Sequence, residues 1–520
     1  MTNLKILLKN NLNLLLGRLQ GKKKERKPTL IAFILLVLGG LGIFALYSYQ
    51  AYSMFKGLGS LGLNNLCLFH AYLTALSVMV IIGVMRVSGN TKTSDSDLLL
   101  SLPIKKRDII ISKTINKYFF DLFFSITLVL PYIVLYQIFT KFNLSLTLLG
   151  ILSIFLLPLL SVGISYILDF LVTRLFNRFK YSSFIKSLFS VFIFIIVLSL
   201  LLIKTFFYGT VNPANLNAYF SDRFFSNMFL NFVLYQKPLS IIGSLCVTIL
   251  PFVLGLILYS INFGKTFSKF NSSSKKLVYK NTNSVAKSLL KKELSTYLTT
   301  PAWIVNTIIG PIFVLVLGII FSGMGLDKIY GYLGTTLSKD LLCCLIAVIF
   351  CALSSTTIIS CSSLSLEGKN FWILKSSPIN EKTLLFNKGL LQVLIFEPFI
   401  ILSSLFLTIF LKLSLFQTLI ILLLPSLCNT ILAYGGVLLN LIFPNFNFED
   451  ETKVVKQSIS TLLTMLLGLV VTAILVGIYF LLKPLNIVYI GLFGLGVYVL
   501  LLILILTILF TYGIKKFRRL

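Results

Sequence analysis

LLLSLPIKKRDIIISK, residues 98–113, returns in altered form as ILKSSPINEKTLLFNK, residues 373–388. The two copies lie 275 positions apart in a chain of 520 residues. Each follows the second long apolar run of its half and leads directly into the third. A polar element repeated at the same place between apolar runs divides the chain into two like halves. It also suggests two related docking points for a soluble partner.

The apolar runs fix the class. The chain is 57% hydrophobic and only 12% charged, and runs of 18 or more apolar residues recur along its whole length, which identifies membrane-spanning helices. A backbone in lipid has to satisfy its own amides, which leaves helices or closed barrels; continuous apolar runs lack the alternation of a barrel strand. The expected fold is therefore all-α, a polytopic helical membrane protein. About twelve spans are read, at roughly 30–48, 66–86, 114–138, 146–170, 188–207, 239–262, 303–322, 340–362, 389–411, 415–442, 459–482 and 487–513. They fall into two parallel six-helix repeats. The first run has too long an apolar core for a cleavable signal peptide.

The net charge of +30 would suggest nucleic acid in a soluble protein. Here the positive-inside rule accounts for it. With the N-terminus inside, the inward-facing segments carry 37 Lys and Arg and the outward-facing ones 9. Both termini are therefore expected in the cytoplasm, and no nucleic-acid partner is expected.

The halves share further features. Residues 4–19 and 286–298 (AKSLLKKELSTYL) are amphipathic stretches before the first span of each half, suited to helices lying in the cytoplasmic interface; an ordinary cytosolic helix is the alternative. Trp303 stands where an interfacial aromatic anchor is expected. A second charged inner loop follows each fourth span: residues 174–187, with Arg174 and Arg178, and residues 443–458, with Glu449, Asp450 and Glu451. The expected organisation is a first half over 1–262, a polar cytoplasmic linker over 263–285 and a second half over 286–520.

Chemistry is mostly excluded. Gly264-Lys265-Thr266 resembles the end of a phosphate loop, but its first glycine is replaced by Tyr259 and an apolar helix precedes it. The single histidine, His70, lies within a span. No metal-spaced cluster occurs, and the seven cysteines lie in or at the ends of spans as packing residues. Eight of the 16 acidic residues fall in the inner loops beside basic ones. Mixed charge of that kind suits a protein contact better than an anionic lipid surface; solvation and topology control are the plain alternative. Asp121, Asp169 and Glu397 lie inside spans. An ionisable group there is costly and normally faces a cavity or the bundle interior, so Asp121 and Glu397 are candidate pathway residues, with a buried structural role as the alternative. Asp169 lies within reach of Arg174. Gly435-Gly436, followed by Asn440, permits close helix approach.

The ordered set resembles the ABC-2 type exporter permeases. It comprises KKEL in an amphipathic helix, Pro301, Gly310-Pro311 in the first span, then a polar segment ending in SPI with a lysine ten positions beyond its proline. EGKNFWILKSSPI (367–379) and EDETKVVKQ (449–457) are similar to the long two-in-one permeases of low-GC Gram-positive bacteria. The resemblance implies a chain without catalytic residues or a cofactor of its own, in the bacterial cytoplasmic membrane. It would work with cytoplasmic ABC ATPase subunits, two per chain, that bind ATP and magnesium. It implies coupling contacts at Asp97, Leu102, Pro103 and Ile104 in the first copy, and at Glu367, Phe371, Trp372, Ser377, Pro378 and Ile379 in the second. The family's re-entrant outer element fits the long loop 212–237, but the second half has only residues 483–486 there.

Two other readings stay open. A transporter driven by an ion gradient would use Asp121 and Glu397 near mid-membrane. A membrane-embedded lipid-linked transferase would need outer catalytic groups, for which the long outer loop offers Asp222 and Arg223.

Overall fold

The computed structural model describes residues 41–57 apart from 43, 64–89, 104–176 apart from 141, 238–265, 284–333, 338–481 apart from 447, 449, 450 and 457, and 487–520. It also describes residues 6, 7, 179, 184–189, 191, 192 and 233. Among the described residues every regular element is a helix, and nine helices are long and apolar enough to cross a membrane. The protein is an all-α membrane protein. The expected spans 30–48 and 188–207 lie largely outside the described residues, as do the amphipathic stretch 4–19, the long outer loop and the linker. Contacts divide the chain into two compact units: Met1–Ser182 with Phe189–Ser274, and Ser183–Leu188 with Lys275–Leu520.

In the first unit four long helices are described: α1 Asn64–Gly89, α2 Lys106–Phe139, α3 Leu144–Phe176 and α4 Pro238–Lys265. Leu68, Ala71, Tyr72, Ala75 and Met79 recur at helical spacing on α1 and are buried against Leu128, Val129 and Tyr132 of α2 and Leu157 and Leu160 of α3. Helices α3 and α4 cross at glycines. A Cβ on Gly163 would come within 2.6 Å of the Pro251 carbonyl oxygen, and one on Gly255 equally close to that of Gly163. Only the missing side chains allow the backbones to meet.

The second unit begins with α5 Val285–Thr299, α6 Pro301–Thr307, α7 Ile309–Leu333 and α8 Lys339–Ser354. Helix α9 Ser360–Ser363, the 3-10 turn Ser365–Asn370 and α10 Phe371–Ser376 follow. The long helices α11 Glu381–Leu411 and α12 Leu415–Ile442 come next, then α13 Glu451–Lys456, α14 Ile459–Leu481, α15 Ile487–Ile508 and, after a π turn, α16 Ile514–Arg519. Helix α12 is the centre. A capping box between Ser414 and Gln417 starts it, and it packs against α8, α11, α14 and α15. Its Gly435-Gly436 pair permits the close approach expected. A Cβ on Gly436 would lie 3.1 Å from the Cys361 amide nitrogen, and one on Gly435 would lie 2.7 Å from Leu467 Cδ2.

One expected span is not a single helix. The run 340–362 breaks after Ser354 and resumes only at Ser360. The sequence SSTT at 354–357 invites this, because short hydroxyls bond to nearby carbonyls and compete with the helix ladder. Ser354 Oγ donates to Cys351 O at 2.6 Å and Thr356 Oγ1 to Leu353 O at 2.7 Å. Gly310, beside Pro311, lies against the break: a Cβ there would collide with the Thr356 and Thr357 hydroxyls. Backbone freed at membrane depth needs partners from the protein, and two buried side chains supply them. Trp303 Nε1 donates to Ile359 O at 3.2 Å, and Gln392 Oε1 accepts from the Ser360 amide at 3.1 Å. Trp303 is therefore not the interfacial anchor expected. It is fully buried, edge-on to Tyr297 at 5.4 Å between ring centres.

Candidate functional site

The broken span delivers the chain into the second polar segment. Gly368 makes the turn with φ +55°, a conformation that L side chains rarely adopt. A Cβ at that position would lie 3.3 Å from the Phe448 ring. Phe371 then stacks on Phe446 at 4.6 Å between centres and meets Phe517 edge-on at 5.5 Å. Asn445 N donates to Ser365 Oγ at 3.0 Å. Asn440 supports the same turn from α12: its Oδ1 accepts from the amides of Leu364 and Ser365 at 3.0 and 3.1 Å. The structure thus brings the segment around Ser365–Phe371 and the segment around Asn445–Phe448 together. Sequence reasoning had treated 367–379 and 443–458 as separate loops.

With Phe371 and Leu374 turned inward, α10 presents its other face. Trp372 is 66% exposed and Ile373 50%, and Lys375, Ser376 and Pro378 are exposed beside them. Ser377 Oγ donates to Leu374 O at 2.7 Å, and Ile379 packs against the core of the unit. Asn380 caps α11 by accepting from Lys382 N at 3.0 Å. Arg518 grips the Glu381 carboxylate with Nε at 2.8 Å from Oε1 and Nη2 at 2.9 Å from Oε2.

A four-membered charge cluster fixes this segment to the helices around it. Lys388 Nζ, on the second turn of α11, lies 2.7 Å from Glu293 Oε1, 3.2 Å from Glu367 Oε1 and 3.1 Å from Ser363 O. Lys292 Nζ reaches both Glu367 oxygens, at 2.7 and 2.8 Å. Two ammoniums and two carboxylates balance, so burial leaves no net charge. Burial by itself would raise the Glu367 carboxyl; the ammoniums of Lys388 and Lys292 outweigh it and hold the group below the ordinary carboxylate value. Sequence reasoning singled out Glu367 alone. Lys292, Glu293 and Lys388 stand in the sequence only as parts of the KKEL stretch and of the second polar segment. Their signal was a glutamate on the face of α5 that also carries Leu289 and Tyr297, all three buried. That face packs inward, where the leucine pattern suggested a helix lying in an interface.

No family model, no curated protein and no solved structure matches this chain. Its chemistry is therefore read from its own geometry.

In the first unit Asp97, Leu102 and Pro103 lie outside the described residues, as do Arg178, Glu449 and Asp450 among the second inner loops. Ile104 packs with Leu7, Ile109 and Phe263. Arg174 ends α3 with its guanidinium 5.9 Å from the centre of the Phe170 ring. Glu451 is exposed at the start of α13. Asp121 is buried and accepts from Ser161 at 3.0 Å, while Glu397 is partly buried and accepts from Ser426 at 2.7 Å. His70 is buried beside the Tyr132 ring. Among the described residues no group of three His, Cys, Asp or Glu is placed to hold a metal ion. What the second polar segment offers is a braced surface of exposed aromatic and aliphatic groups.

Proposed function

We propose that this chain is the membrane permease subunit of an ATP-driven exporter of the ABC-2 type. It has twelve spans in two parallel six-span repeats, 1–262 and 286–520, joined by a cytoplasmic linker. It lies in the bacterial cytoplasmic membrane with both termini inside. Separate ATPase subunits, two per chain, bind ATP and magnesium and seat on the two polar segments; the chain itself hydrolyses nothing.

The observation that carries this reading is the pair Trp372 and Ile373, exposed on a six-residue helix that is braced from below. Exposed tryptophan on a rigid support is the composition of a binding hot spot. The brace joins the turn Ser365–Asn370, which leads directly into α10, to α5 and α11 through charges, so a push on Trp372 reaches both helices at once. The starts of α2 at Lys106 and α11 at Glu381 keep the offset of the two segments, which supports the repeat.

Replacing Trp372 and Ile373 together with alanine should leave the purified chain folded. It should weaken retention of the co-expressed ATPase at least tenfold. Full retention by the double variant would end the docking idea. Transport into vesicles that runs on an ion gradient without ATP would favour the secondary-transporter reading instead.

A further inference from the structure

The last long helix of the second unit carries an open stripe that changes character at its end. On α15 and the π turn that follows it, Leu500, Leu504, Ile508 and Tyr512 recur every four residues and are 37–67% exposed. Lys515 and Arg519 continue the stripe on α16 and are exposed, with Lys516 half-buried beside them. The helix is held from its inner side, where Ile514 and Phe517 are buried in the core of the unit. In a membrane protein an open leucine stripe is covered by lipid chains, which are as apolar as leucine. The stripe passes into the cations without a break in the helix, so a lipid lying along it meets them too.

These cations are uncompensated. Arg518, in their midst, is committed to Glu381, with Nε 2.8 Å from Oε1. Among the described residues no carboxylate pairs with Lys515, Lys516 or Arg519. Their depth suits a phosphate. Tyrosine settles at the membrane–water interface, and the headgroup layer is about 5–7 Å thick on each side of the hydrocarbon. Lys515 and Lys516 follow Tyr512 by three and four residues, about 4.5 and 6 Å along the axis. Arg519, one turn further, reaches back with its long side chain. A soluble acidic protein fits the cations but not the apolar stripe. A zwitterionic phospholipid fits the stripe but brings its own ammonium. An anionic phospholipid fits both.

We propose that the open stripe of α15 and α16 is a binding site for an anionic phospholipid. Its chains lie along Leu504, Ile508 and Tyr512, and its phosphate is held by Lys515, Lys516 and Arg519. The site is on the helix whose Phe517 meets Phe371 edge-on at 5.5 Å, so the lipid steadies the support of the second polar segment. The proposal does not depend on the exporter reading.

The test uses the purified full chain with p-benzoylphenylalanine at Thr511, an exposed position on the stripe. The nanodiscs hold phosphatidylglycerol and phosphatidylcholine in equal amounts. After irradiation, mass spectrometry of the adducts should find phosphatidylglycerol over phosphatidylcholine at least tenfold. Lys515→Gln, Lys516→Gln and Arg519→Gln together should bring the ratio to that of the bilayer, whereas Lys515→Arg with Lys516→Arg should keep the preference. Lys287→Gln with Lys291→Gln, at exposed positions of α5, should leave it unchanged. Cations at a helix C-terminus also complement the helix dipole and help set topology. Those roles alone predict adducts in the proportions of the bilayer even with all three cations present. That result would overturn the proposal, as would an undiminished preference in a triple variant whose helical circular dichroism is intact. No ATPase is in the assay, so its outcome is independent of ATPase docking.

Discussion

Lys388 Nζ lies 2.7 Å from Glu293 Oε1, a residue 95 positions earlier, with the two side chains only 1% and 5% exposed. This contact ties α5 to the base of α11. Glu367 and Lys292 complete the cluster on the side of the polar segment. A displacement of that segment cannot be absorbed locally, because buried charges tolerate little separation from their partners.

Lys388→Ala should therefore cost about 3–5 kcal/mol, since it strands the buried Glu293 carboxylate. Lys388→Met combined with Glu293→Gln should cost clearly less than the sum of the single changes, because the Lys292–Glu367 pair stays neutral. Chemical unfolding of the four proteins in mixed micelles measures the coupling.

The cluster also sets a pH dependence. Glu367 is held below its ordinary value of 4.5 by Lys388 and Lys292, against the opposing effect of burial. A carboxyl that binds protons less readily when folded stabilises the fold wherever it is ionised. Its contribution is complete above pH 4.5 and is lost as pH falls through the lower folded value. Glu367→Gln should remove that part of the acid limb and lower the plateau above it. Unfolding followed from pH 3 to 7 is the check; an unchanged acid limb would contradict the assignment.

Gly368→Ala should cost about 1–3 kcal/mol, because φ +55° strains any side chain, and it should loosen the contact with Phe448. Gly477→Ala is the control. A Cβ there meets nothing within 4 Å on helix α14, so alanine should be neutral or stabilise by up to about 1 kcal/mol.

Asn440→Leu should leave the amides of Leu364 and Ser365 without acceptors, at about 1–3 kcal/mol for each buried donor. Hydrogen exchange should rise at residues 364 and 365 while the middle of α12 stays protected.

The membrane class and the positions of most spans were legible in the sequence. An apolar run of twenty residues has one low-energy answer in lipid, whatever surrounds it. The recurrence of SLPI and SSPI was legible too, since it needs only the order of residues. The break at 355–359 was not. It depends on Trp303 and Gln392 arriving from other helices to satisfy freed backbone groups, and hydropathy counts the run 340–362 as continuous. Nor was the union of Glu293, Glu367 and Lys388, which lie on three elements far apart in the chain. Sequence alone determined that this is a helical membrane protein with a repeated polar segment, because solvent preference is a local property. Only the tertiary structure decided which charges meet, where a span gives way and which face of the segment is left open. Each of those depends on the distance between side chains that the sequence keeps apart.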